Sequence, residues 1–164
     1  MLDVEHELPV IDLQPGESVL AREPTIIRTI LGSCVSISFW NERLHIGALC
    51  HSILPRMPLS NTGPPSIAIG RRYVDFCIRD LAQQFDELGI GRHEVQVKLF
   101  GGADVLVMTS SPSRPTVGRL NCETAIDLLS EEGYTITASS LGDIYGRKIR
   151  FNTGTGEVLQ LRLR

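Results

Sequence analysis

The chain has 164 residues with 42% hydrophobic and 21% charged side chains, the balance of an ordinary globular domain with enough length to bury a sizeable core. Sixteen basic against nineteen acidic residues leave a net charge of −3, which gives no electrostatic case for nucleic acid or an anionic membrane. No stretch approaches the ~18 apolar residues a spanning helix needs, and the acidic start "MLDVEHELPVIDL" does not resemble a secretory signal.

These features predict one cytoplasmic domain over 1–164, with 1–12 as a less ordered extension and thiols kept reduced. The cysteines at 34, 50, 77 and 122 form no CxxC pair, and the histidines at 6, 45, 51 and 93 show no ligand spacing with them. Neither a metal nor a cofactor is expected.

In chain order, "LQPGESVLAREP" brackets a short extended piece at Ser18–Arg22 with turn residues. "TIIRTIL" and "CVSISFW" read as β-strands separated at Gly32, "NER" as a hairpin turn, and "LHIGALCHSILP" as the returning strand. Residues 55–70 carry Pro55, Pro58, Pro64 and Pro65 and read as a long irregular loop. Apolar residues at 74, 77, 78, 81, 85 and 88 mark a helix closed by Gly89. "EVQVKLF" is a strand leading into "GGAD". A second helix fits 117–132, with Val117, Ala125, Leu128 and Leu129 inward and Gly133 as its stop. The tail reads as three strands, the last two joined by a Gly-rich turn at 154–156. Two helices and about seven strands, mostly in hairpin order, predict an α+β layered domain rather than a doubly wound nucleotide fold.

The residue that raises a chemical question is Cys34 in "ILGSCVSISFW". A hairpin centred on Glu42-Arg43 sets Cys34 opposite His51, with Cβ atoms roughly 4.5–5.5 Å apart. A shift of one residue sets it opposite Cys50 instead. In the first register a neighbouring imidazolium would lower the thiol from its usual ~8.5 and activate it as a nucleophile. Gly32 would admit a substrate close to the backbone, and N–H groups of Gly32–Cys34, Ser33 included, would stabilise an oxyanion. The alternative is a buried cysteine beside a core-edge histidine. "KLFGGADV" lacks a complete phosphate-loop pattern and reads as a tight turn beside the site.

"TILGSCV", "GALCHSILP", "KLFGGADV" and "VGRLNCETAIDLLSEEG" resemble the four signature blocks of the CheD family of chemoreceptor glutamine deamidases. The resemblance runs from about Leu13 to Arg164. It implies layered sheets with helices on one side, similar to the catalytic domain of the cytotoxic necrotizing factor toxins. It also implies hydrolysis of glutamine side chains on the cytoplasmic helices of chemoreceptors, with Cys34 as nucleophile, His51 as base and Thr29 positioning His51 or the substrate. Because residues five apart on a strand point to opposite faces, Thr29 would need a kink at Gly32.

Gly101 and Gly102 join Gly32 and Ser33 as the expected substrate and oxyanion positions, and because a receptor glutamine lies on a helical bundle, "GGAD" and Pro58–Ile69 are expected as the two lips of an open cleft. CheC, a phosphatase of the response regulator, is an implied partner of some members. Three positions depart from the family pattern: Leu120 stands where an arginine is usual, Asp143 where a glycine is frequent, and Cys50 where a small or polar residue is frequent. Two rival readings remain, a docking module that binds receptors or CheC with little catalysis, and a redox sensor using Cys34 and Cys50.

Overall fold

The computed structural model describes residues 7–105 and 114–164. It has three layers: two helices, a five-stranded sheet and a four-stranded sheet. The strands are β1 Val10–Asp12, β2 Ser18–Ala21, β3 Ile26–Leu31, β4 Val35–Asn41, β5 Ile46–Ser52, β6 Gln96–Gly101, β7 Ile136–Leu141, β8 Gly146–Asn152 and β9 Val158–Leu163. Helices α1 Ile67–Gly70, α2 Val74–Glu87 and α3 Val117–Glu131, with a short 3-10 turn at Arg92–Glu94, complete the described elements. One sheet runs β1-β3-β8-β9 and the other β2-β5-β4-β6-β7. The layered α+β architecture with helices on one side is the one expected.

Period-two alternation explains the layering. In "VSISFW" of β4, Val35, Ile37 and Phe39 face the helices, where they meet Cys77, Ile78, Leu81 and Phe85 of α2 and Ala125 and Leu129 of α3. The alternate residue Trp40 faces the other sheet, packing with Leu13, Ile27, Leu49 and Phe151. Every residue of β4 and β5 is buried because both faces of these central strands are covered.

Several boundaries differ from the sequence reading. Val10–Asp12, expected within a less ordered extension, pair in parallel with Ile26–Arg28, since Leu13 just beyond them is drawn into the inter-sheet core. Within the 55–70 loop, Ile67–Gly70 make one helical turn, capped by the Ser66 hydroxyl, which accepts from the Ile69 N–H at 3.3 Å. Val117 is exposed rather than inward, because it opens the first turn of α3 at the helix rim. Helix α2 closes at Gly89 in the left-handed region, as its stop signal implied.

The β4–β5 turn shifts the strand register. Asn41 Oδ1 accepts from the Leu44 N–H at 2.9 Å, and His45 takes φ 51°, so the loop spans Glu42–His45 and Asn41 pairs with Ile46. Ser36, not Cys34, therefore stands opposite His51. The offset from the expected register is two residues. Parity is kept, so Ser36 shares the face of His51, and Cys34, one residue before β4, packs on that side against Phe100.

Candidate active site

β3 and β4 are not a hairpin. The chain leaves the four-stranded sheet at Leu31 and enters the five-stranded sheet at Val35, so Gly32-Ser33-Cys34 bridges the two layers. Three residues can span at most about 10 Å, the spacing of stacked sheets. The chain does bend at Gly32 and Ser33, as expected, and the bend carries it from one sheet to the other: Thr29 lies on the inner face of one sheet, His51 on the inner face of the other, and they meet across the gap.

That meeting decides a tautomer. The Thr29 hydroxyl lies 2.7 Å from His51 Nδ1 and 2.9 Å from the Leu13 carbonyl. A hydroxyl carries one proton and a carbonyl can only accept, so the Thr29 proton goes to Leu13. His51 Nδ1 must then be the N–H that donates to Thr29, which leaves the lone pair on Nε2. Nε2 is buried and has no hydrogen-bond partner. His51 itself is 1% exposed, and burial drives its imidazole down to about 4, with Glu17 opposing weakly. The ring is neutral at pH 7 and its free nitrogen is a proton acceptor.

Cys34 packs against Leu31, Phe100 and Ile149 at the same end of the inter-sheet layer. Burial pushes its thiol above the ordinary range. The expectation of an imidazolium that pre-ionises the thiol is thus replaced by a neutral pair, for one reason: both groups are desolvated.

Three carbonyls of the Cys34 loop are held from outside. Gly102 N–H donates to the Cys34 carbonyl at 2.9 Å and Ala103 N–H to that of Gly32 at 3.0 Å. The Asn121 side chain on α3 donates to Ser33 O at 3.0 Å. Gly101 sits at φ 111°, and a side chain there would run into the Cys34 carbonyl, so only glycine lets "GGAD" lie this close. Beneath it the buried Arg147 donates to the carbonyls of Gly142 at 3.0 Å and Gly101 at 3.4 Å, with a further bond to Ser140 Oγ. Asn121 and Arg147 escaped the sequence reading. The available signal for Asn121 was a lone amide on the stripe 118, 121, 122, 125, 128 that otherwise faces inward.

A cavity of about 500 Å³ reaches Thr29 and His51 between Gln14-Pro15, Ile30 and Lys148. It opens because β1 ends at Asp12 and leaves the rest of the β3 edge uncovered. A second cavity, about 350 Å³, borders Ser33 between Ala103–Val105 and Thr116–Gly118. The expected lip Pro58–Ile69 contributes to neither: Pro58–Pro65 lies along α2, against Asp75, Phe76, Arg79 and Gln83. A larger hollow of about 720 Å³ lies at the opposite end of β4, around Arg43, Arg92 and Thr137, and carries no cysteine.

Cys50 faces the helical layer with Cys77, across β5 from the face that His51 uses, which separates it from Cys34 and removes the geometry of the redox rival. Asp143 sits at φ 62°, a backbone conformation that favours glycine, and its carbonyl accepts from Asp104 N–H at 2.8 Å. Leu120 is half-buried beside Asn121. Among the described residues no cluster of His, Cys, Asp or Glu is arranged to hold a metal, and no helix is long and apolar enough to cross a membrane.

The layered architecture defines the fold class. It is similar to the crystal structure of the Bacillus licheniformis hypothetical protein YfiH, with TM-score 0.50 and 11% identity over 76% of this chain and 50% of that one. Sequence relatives narrow this to a family. The chain is 41% identical over 157 residues to the probable chemoreceptor glutamine deamidase CheD 2 of Geobacter sulfurreducens, covering 96% of this chain and 92% of the relative. It is 38% identical over 164 residues to the probable chemoreceptor glutamine deamidase CheD of Maridesulfovibrio salexigens, covering 97% and 95%. The family model described as CheD chemotactic sensory transduction matches residues 54–162, downstream of Cys34 and His51. The chain belongs to the CheD family.

Proposed function

We propose that this protein is a protein-glutamine glutaminase that deamidates chemoreceptors in the cytoplasm, using Cys34 as nucleophile, His51 as general base and acid, and Thr29 to hold the His51 tautomer. The observation that carries the reading is the buried Nε2 of His51, forced by Thr29 and Leu13 to bear a lone pair and left without a partner.

The chemistry follows from the neutral pair. Cys34 Sγ attacks the side-chain amide carbon as its proton moves to His51 Nε2, so the thiolate never accumulates. The resulting imidazolium, costly in this buried site, gives the proton to the departing nitrogen, and ammonia leaves a γ-glutamyl thioester. Water then adds to the thioester as His51 takes its proton. The glutamate product leaves, and the proton returns to the Cys34 sulfur.

We assign oxyanion stabilisation to N–H groups of the Gly32-Ser33-Cys34 loop. The Gly102 N–H is already committed to the Cys34 carbonyl, so Gly101 and Gly102 support the loop rather than meet the substrate. Docking of a CheC-type partner belongs to the same proposal, and co-elution of the two purified proteins tests it.

The deciding experiment mixes the full chain with a chemoreceptor cytoplasmic fragment and follows ammonia release and peptide masses. Glutamine-to-glutamate conversion that disappears in Cys34→Ala and His51→Ala is the expected result. Binding to the fragment without conversion would instead favour a docking module.

A further inference from the structure

We propose that Asn121 is a positioning residue whose single amide group sets the geometry between the thiol and the imidazole. The proposal rests on the Cys34–His51 reading above and concerns a residue that touches neither reacting atom.

The two N–H bonds of Asn121 Nδ2 go to two different segments. One reaches Ser33 O at 3.0 Å, the residue before Cys34; the other reaches Ile53 O at 3.0 Å, two residues after His51. The amide thus staples the loop that carries the nucleophile to the strand end that carries the base. Nothing in the sheet ladder does this, because β4–β5 pairing begins at Val35 and Ser52, inside both of those residues.

The staple is itself anchored. Asn121 is fully buried on α3, among Cys122, Ala125 and Leu128. One turn earlier, Gly118 packs so tightly on the "GGAD" loop that a methyl group there would lie 2.6 Å from the Gly102 carbonyl oxygen. The Thr116 hydroxyl caps the helix by accepting from Arg119 N–H at 3.2 Å. The amide cannot turn over, since that would set Oδ1 against two carbonyl oxygens. In the observed orientation Oδ1 is buried without a partner. An apolar residue would avoid that orphaned acceptor, so the double donation is what compensates for an amide here.

Only a planar amide of this length donates to two carbonyls at once. Aspartate at neutral pH donates to neither and repels both, alanine leaves them unbridged, and serine can bridge one. A displacement of about 1 Å in a reacting group costs on the order of 100-fold in rate. We therefore expect Asn121→Ala and Asn121→Asp to lower kcat on the receptor fragment by about 100-fold while KM changes less than about twofold.

Three readouts separate positioning from simple loss of stability. Leu128→Ala opens a cavity in the same helix away from the site and should lower the melting temperature without lowering kcat. Asn121→Ser, which keeps one donor, should fall between wild type and Asn121→Ala. In Asn121→Asp, full burial beside two carbonyl oxygens raises the carboxyl far above its ordinary range, so lowering the pH from 7 to 5 protonates it, restores one donor and raises its kcat relative to wild type. If folded Asn121→Ala, or Asn121→Ser should Asn121→Ala fail to fold, keeps the wild-type kcat, or if acid gives Asn121→Asp no relative gain, the proposal is overturned. If Cys34→Ala still converts glutamine, the underlying reading falls first and takes this one with it.

Discussion

Burying a neutral histidine makes this fold acid-sensitive by an amount the structure specifies. His51 ordinarily titrates near 6.5 and is driven to about 4 by burial. Between those values the unfolded chain carries the proton and the folded chain does not, so stability must fall as pH drops through the window. The stabilisation is complete above about pH 6.5 and is lost progressively as pH falls towards 4. With 1.36 kcal/mol per unit, the full loss is about 3 kcal/mol, of which about 2 kcal/mol is gone by pH 5.

The assay is urea unfolding followed by circular dichroism at pH 7 and pH 5, for wild type and His51→Gln. Asp12 and Glu94, both held below the ordinary carboxylate range, lose their contributions as pH falls and do so equally in the two proteins. The difference in pH dependence between the proteins therefore isolates His51. Wild type should lose about 2 kcal/mol more than the variant over this interval, with unchanged m-values. Equal losses would refute both the buried neutral ring and the tautomer built on it.

Two further outcomes follow from the same geometry. Thr29→Val keeps the shape but strands the His51 Nδ1–H and frees the Leu13 carbonyl; it should cost about 1–3 kcal/mol in urea unfolding and lower kcat at least tenfold. Gly101→Ala places a methyl group into the Cys34 carbonyl at a backbone angle that side chains avoid. It should destabilise by at least about 2 kcal/mol and alter the rate at which iodoacetamide alkylates Cys34; an unchanged urea midpoint would contradict the packing of "GGAD" on that loop.

The elements were legible wherever a local rule dominates. The β-branched and apolar run "CVSISFW" marks a strand, the 74–85 stripe marks α2, and Gly89 ends that helix because a left-handed residue must follow it; that β4 is covered on both faces, its serines included, shows only in the assembled layers. The blocks around Cys34 and His51 carried the family resemblance with no coordinates at all. The hairpin register was misjudged because Asn41 caps Leu44 and His45 adopts a left-handed backbone, and neither choice can be seen in "NERLH" without the turn itself.

The sequence by itself determined the strands that carry Cys34 and His51 and limited their register to two choices of opposite parity, of which the observed turn keeps the one that faces His51 towards the other sheet. What only the tertiary structure decided is how they meet. Thr29 reaches His51 because β3 and β4 belong to opposing sheets, an arrangement that strand periodicity cannot distinguish from a hairpin. Asn121 comes from a helix 88 residues beyond Ser33. The charge states of the thiol and imidazole depend on desolvation, and desolvation is a property of the assembled layers, not of any stretch of chain.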